Sequence, residues 1–260
     1  MKRTCVILST VLIAVILLAG CISPSLGGVV TQTRDFTNFT YVDVENILQV
    51  EIVQSSSFNV TIIADKDLLD YIVVTQEGEI LRIYLNPRHP FTDFTVQRKT
   101  LRAKITMPAL YGLNLSGAAK GAITGFKSTH DFTSEISGAS SLAMEKIEDG
   151  KVEIEVSGAS KVTGDLKAND AKFGVSGASS ITLSGSANAL TIVGSGASKL
   201  GLVQFNLNNA DVNLSGATEA TINVKEKLDA TLSGASLLYF HGNPATGNIN
   251  VSGASTLKHR

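Results

Sequence analysis

The tripeptide Ser-Gly-Ala recurs eight times in the second half of the chain, beginning at Ser116, Ser137, Ser157, Ser176, Ser195, Ser215, Ser233 and Ser252. The intervals between copies are 21, 20, 19, 19, 20, 18 and 19 residues. A small fourth residue follows each copy: Ala119, then Ser140, Ser160, Ser179, Ser198, Thr218, Ser236 and Ser255. A near-fixed period of this length marks a stack of supersecondary units, none of which can bury its apolar face alone. A propeller is excluded, because one antiparallel blade needs about forty residues.

Period-two alternation surrounds each copy. One residue before the Ser stand Leu115, Ile136, Val156, Val175, Leu214, Leu232 and Val251, with Gly194 the exception, and apolar residues such as Ile154, Phe173, Ile192 and Val212 stand three before. Polar residues such as Asn114, Glu135, Glu155 and Asn213 lie between them, so this segment is a strand with one buried and one wet face. Apolar residues return five and seven past the Ser (Leu142 and Met144, Leu200 and Leu202) and define a second strand. Asp149-Gly150, Gly164-Asp165, Gly185 and Gly242-Asn243 are read as closing the coil. The turn glycines Gly117, Gly138, Gly158, Gly177, Gly196, Gly216, Gly234 and Gly253 are expected at positive φ or at a corner too tight for a Cβ. Their neighbouring Ala residues are expected inside that corner. No six-residue beat of a left-handed hexapeptide solenoid is visible. The expected fold is therefore all-β, a right-handed parallel β-helix of about eight 19–20-residue coils over residues 113–260.

The first twenty residues stand apart. Lys2 and Arg3 precede a thirteen-residue apolar stretch, Val6 to Leu18, that ends at Leu18-Ala19-Gly20-Cys21. Such a stretch is too short to span a bilayer and suits an export signal. The order of apolar core, small residues and cysteine makes residues 1–20 a lipoprotein signal peptide and Cys21 the lipidated residue, the anchor to a membrane. Residues 21–33 then form a linker, and the chain is expected outside the cytoplasm. Cys5 leaves with the signal, so no disulfide is expected. Residues 34–112 alternate without the repeat, and are expected to form irregular β-coils that cap the solenoid, with a helical turn near Ala64 to Asp70.

Composition narrows the function. A formal charge of −1 argues against nucleic acid, and 6% aromatic residues without Trp leave few stacking platforms. By rung arithmetic Glu135 with Glu155, and Asp211 with Asp229, fall in adjacent coils, a spacing that could serve glycoside hydrolysis or calcium; a solvated sheet face explains them better. Lys172 beside Glu153 and Lys199 beside Glu219 read as cross-rung pairs. His89, His130, His241 and His259 lack metal-ligand spacing, the turn serines lack a His partner, and no Gly-Gly-x-Gly-x-Asp pattern occurs, so neither cofactor nor metal is expected. Arg98, Lys99, Arg102 and Lys104 lie on one strand face near Phe91 and Phe94, which could contact an acidic glycan or anionic headgroups; a plain solvated strand explains them better. Asn-x-Ser/Thr stands at Asn38, Asn59, Asn114, Asn213 and Asn250, and outward Asn explains most of these without glycans.

The early Phe36/Phe39 to Val44 segment, the Gln49 to Val53 and Gly78 to Leu85 strands, the Met107-Pro108 step and the Ser-Gly-Ala series together resemble the putative auto-transporter adhesin family of the head GIN domain, from about Arg34 to the C-terminus. The resemblance implies a pectin-lyase-like right-handed β-helix, no established catalytic residues and a role in adhesion. The chain departs from an auto-transporter in carrying an N-terminal lipid signal instead of a C-terminal barrel. A flat, repeated face suits multivalent contact with a glycan or cell-surface ligand. A polysaccharide lyase or hydrolase on the same fold is the alternative, and it would need converging Asp/Glu, Arg and Lys. An ice-binding ladder would need Thr-x-Thr rows, which are missing. The solenoid end is a candidate contact between copies.

Overall fold

The structure, a computed structural model, describes residues 28–86 and 99–260. The apolar leader, Cys21, His89, Phe91, Phe94 and Arg98 lie outside the described residues.

Each Ser-Gly-Ala forms the corner of one coil of a parallel β-solenoid, and the eight corners enclose seven complete turns. The corners stack through the main chain. Ala139 donates its N–H to the Gly117 carbonyl at 2.7 Å, Ala159 to Gly138 at 2.7 Å, and Ala178 to Gly158 at 2.8 Å. Gly177 shows why the column is glycine: its φ is 72°, and a Cβ there would stand 2.5 Å from the Gly158 carbonyl oxygen. Both the left-handed backbone and the neighbouring carbonyl exclude a side chain.

The alanines differ from expectation. Ala159, Ala178, Ala197, Ala217 and Ala235 face solvent on the outer side of the corner. The residue after each is the one that turns inward: Ser140, Ser160, Ser179, Ser198, Thr218 and Ser236 are at most 2% exposed. The reason is geometric: the left-handed φ of the glycine breaks the strand alternation at the corner, so glycine and alanine both lie outside and the inward turn comes one residue later. Ser140 Oγ has no hydrogen-bond partner among the described residues, but others find main-chain ones; Thr218 donates to the Ser215 carbonyl at 2.9 Å and Ser236 to Ser233 at 2.9 Å.

In chain order the strands are β1 (Val29–Arg34), β2 (Tyr41–Val44), β3 (Gln49–Gln54), β4 (Asn59–Asp65), β5 (Ile72–Glu77), β6 (Ile80–Leu85), β7 (Leu101–Met107), β8 (Gly112–Leu115), β9 (Lys120–Thr124) and β10 (Phe132–Ile136). The long coil strands follow: β11 (Ser141–Val156), β12 (Lys161–Val175), β13 (Ser180–Gly194), β14 (Lys199–Leu214) and β15 (Glu219–Leu232), then β16 (Leu237–His241), β17 (Ala245–Val251) and β18 (Thr256–His259).

The long strands bend, and each serves three ladders rather than two. The ladder after the corner stacks Leu142, Val162, Ile181, Leu200, Ala220 and Leu238 inward. A short middle ladder, absent from the sequence reading, pairs Ile147 with Leu166 and Gly185 with Phe205. The ladder before the next corner stacks Ile154, Phe173, Ile192, Val212 and Ala230. Gly164 and Gly185, at φ 141° and 121°, turn the chain between the first two ladders, whereas Asp149-Gly150 lies farther along, at the end of the middle one. The three inner columns meet in a single core. Phe173 and Phe205 are fully buried with ring centroids 6.0 Å apart, each such burial being worth about 1.5–3 kcal/mol.

The region before the repeat is more regular than its sequence. β2 and β3 form a further coil beneath β8 and β9, with Val42 opposite Leu113 and Val50 opposite Gly121. Asn46 takes the corner at φ 70°, and its carbonyl accepts the Ala118 N–H at 2.7 Å, as each Gly does for the coil above. β6 and β7 add one more parallel layer, on β2 and β3. Antiparallel strands then end the stack: β5 on β6, β4 on β7, and β1 on β4. A reversed strand cannot propagate the parallel repeat, so this end is closed in the manner expected of edge protection. A 3₁₀ turn, Leu69–Tyr71, lies between β4 and β5. At the opposite end β17 and β18 pair on one side, and their residues are largely exposed.

Candidate functional site

Rung-by-rung register determines which side chains stand together on the outside. On the ladder after the corner, one outward column runs Arg102, Gln49, Lys120, Ser141, Lys161, Ser180, Lys199 and Glu219. Cations thus occupy every second rung four times in succession, each separated from the next by a short or uncharged polar residue. All four are exposed. Strands are about 4.8 Å apart, so the charges recur roughly every 10 Å over about 29 Å. Lys199 pairs with Glu219 at 3.5 Å; Arg102, Lys120 and Lys161 have no ion pair among the described residues.

The next outward column on the same ladder is small: Ala122, Ala143, Thr163, Thr182, Gly201 and Thr221 follow Glu51. On the other flank run the exposed Gly and Ala of the corners. The cations therefore rise from a smooth strip. Of the four, the sequence singles out Arg102 as part of a basic strand face and Lys199 as the cross-rung partner of Glu219. Of the sequence companions of Arg102, Lys99 is bound to Asp67, and Lys104 lies 3.5 Å from Glu51. The readable signal for the others is the residue four past each repeat Ser, which alternates Lys, Ser, Lys, Ser, Lys from Lys120 to Lys199.

The carboxylate pairs lie on the ladder before the corner. Glu135 is in register with Glu155, and Asp211 with Asp229. Asp229 accepts from Lys227 Nζ at 2.7 Å and from the Asn248 N–H at 2.7 Å, and those bonds hold its carboxyl below the ordinary range. The Lys172 ammonium, 2.6 Å from Glu153, lowers that carboxyl in the same way and sits 3.8 Å from Glu155. Asp229 and Glu153 are thus held as anions rather than poised as acids.

A cleft of about 750 Å³ opens where the middle ladder begins, lined by Tyr111, Lys127, His130, Glu148, Asp149 and Lys167. His130 stacks on Tyr111 with centroids 4.8 Å apart and shares a hydrogen bond with Ser128 Oγ. Lys127 and Lys167 both reach Glu148, at 3.2 and 3.5 Å. Asp149 is 8% exposed and accepts no hydrogen bond among the described residues; burial pushes its carboxyl up to about 7. Its column continues as Ala168, Ala187 and Leu207, an apolar series in which it is the sole ionisable member. Sequence reasoning missed it because the coil length drifts between corner and column. His241 and His259 lie on the last rungs, away from this cleft, and His259 Nε2 contacts the Gly242 carbonyl at 2.7 Å. No group of three metal-ligating side chains occurs among the described residues, and Asn38, Asn59, Asn114, Asn213 and Asn250 are all exposed.

A family model described as "Putative auto-transporter adhesin, head GIN domain" matches residues 38–244. The fold is similar to the crystal structure of a "putative adhesin" from Parabacteroides merdae, with a TM-score of 0.80 and 18% identity over 90% of this chain and 97% of that one. A "putative adhesin" from Parabacteroides distasonis gives 0.75 and 17% over 90% and 98%. A "Putative lipid binding protein" from the same organism gives 0.77 and 17% over 90% and 98%. At these identities the likeness is one of fold. No curated protein matches the chain.

Proposed function

We propose, from the premise that the chain belongs to the head GIN domain family of putative auto-transporter adhesins, that it is a non-catalytic binding module displayed outside the cytoplasm. It presents a rigid, repeated β-face to a polymer or another cell surface, and a lipid on Cys21 tethers it to its own membrane. The observation that carries this reading is the outward face itself, on which equivalent side chains recur at strand spacing along a straight line. Weak contacts repeated on such a line add up, provided the ligand repeats as well. Of the carboxylates that could have served a hydrolase or lyase, Asp229 is tied to Lys227 and the Asn248 N–H, and Glu155 lies 3.8 Å from Lys172. End-to-end contact between copies, through the last rung, belongs to the same proposal.

The test is a whole-cell and glycan-array screen with the Gly28–Arg260 portion, beside a turnover assay on uronate polymers. Saturable binding without turnover is expected. Ultraviolet-absorbing unsaturated uronate products would replace the binding module with a lyase. The tether is checked by palmitate labelling, expected in the native chain and lost in Cys21→Ala.

A further inference from the structure

We infer that the ladder after the corner binds a linear acidic polysaccharide whose carboxylates recur on every second sugar, with Arg102, Lys120, Lys161 and Lys199 as the contact residues. This rests on the binding-module reading above and names its ligand class.

The argument is one of matched periods. A cation on every second rung repeats at about twice the strand spacing, roughly 10 Å. In an extended polysaccharide, consecutive pyranose rings advance by close to one strand spacing, so a uronate on alternate sugars meets a cation on alternate rungs. The intervening rungs present Gln49, Ser141 and Ser180, an amide and two hydroxyls suited to the hydroxyls of the uncharged sugar. Beside the row lie the small side chains from Ala122 to Gly201 and the exposed corner alanines, a level surface on which the C–H faces of sugar rings can rest without a clash. Glu219 ends the row at one side by pairing Lys199, and Ile63 follows Arg102 at the other. The site thus spans seven rungs, hence about seven sugars. A layer of anionic lipid headgroups would also be drawn to these charges, but nothing in a fluid headgroup layer selects a two-rung spacing.

The experiment measures binding of hyaluronate, which carries one carboxylate per disaccharide, to the immobilised full chain. Neutral dextran and phosphatidylserine vesicles are the comparison probes. Hyaluronate is expected to bind, with affinity that falls as salt rises, and dextran is not. The variant Lys120→Gln/Lys161→Gln/Lys199→Gln should lose roughly 10- to 100-fold in affinity. The deciding variant keeps the charge and breaks the beat: Lys161→Ser with Ser180→Lys should lose most of the affinity at an unchanged melting temperature. Equal affinity in that variant, absence of hyaluronate binding, or vesicle binding in its place each overturns the inference. Whole-cell binding that survives the triple variant overturns it too, while leaving the binding module standing; absence of whole-cell binding by the native chain removes the binding module itself.

Discussion

Asp149 should make the solenoid less stable at neutral pH than in mild acid, and Asp149→Asn should remove that dependence. The carboxyl occupies a column otherwise filled by Ala168, Ala187 and Leu207, is 8% exposed, and receives no hydrogen bond among the described residues. Its pKa rises from 3.8 to about 7 on folding, through desolvation. The folded chain therefore holds this proton more tightly than the unfolded one. Stability is complete below about pH 4, falls as pH rises towards 7, and levels off above that. One pKa unit is about 1.36 kcal/mol, so the full span is about 4 kcal/mol, and the part falling between pH 5 and pH 8 is about 2–3 kcal/mol. Asn has the shape of the neutral acid and cannot ionise. Urea denaturation of both proteins at pH 5 and pH 8 isolates the effect, because every other titrating group cancels in the double difference. The native chain should lose about 2–3 kcal/mol more than Asp149→Asn over that interval. Parallel pH profiles would refute the reasoning, for they would mean that Lys127, Lys167 or water in the cleft solvates the carboxylate as well as bulk water does.

Other expectations test the architecture. Gly177→Val should cost several kcal/mol and lower the melting temperature sharply, since the backbone is left-handed and a Cβ would sit 2.5 Å from the Gly158 carbonyl oxygen; Gly158→Val should behave alike. Asn46→Gly should cost about 0.5–1.5 kcal/mol, since it keeps the left-handed backbone free of strain but loses the bond from the Leu85 N–H. Asn46→Val should cost about 1–3 kcal/mol by denaturation, from strain at φ 70° and loss of the 2.9 Å bond that the side-chain oxygen accepts from Leu85 N–H. Phe173→Ala should cost about 3–5 kcal/mol, because the ring is fully enclosed beside Phe205 and the coils on either side cannot close over the void.

What was legible in the sequence follows from which interactions are local. A glycine that must take positive φ beneath another glycine leaves an invariant tripeptide, so the corners, the period and the parallel stack could be read directly. Asn46 was illegible for a related reason. Asn is one of the few non-glycine residues that tolerate that backbone, and the layer next to β2 and β3 is supplied by β6 and β7, whose connection is not a Ser-Gly-Ala corner, so a side chain could be kept there. Glu45-Asn46-Ile47-Leu48 therefore does the work of Ser-Gly-Ala-Ala without resembling it. The cation row lay four residues from an anchored corner, inside the stretch where register is constant, and was recoverable in principle from the Lys/Ser alternation. Asp149 lay past the point where bulges shift the ladders, between Met144 and Ile147 and again between Thr182 and Gly185. Beyond such a bulge, counting from the corner no longer gives the column. Inward and outward positions then exchange from coil to coil, and a buried acid looks the same in sequence as the solvated Glu148 beside it. The faces next to the corners are thus determined by local backbone chemistry, and the far side of each coil by packing that only the assembled stack decides.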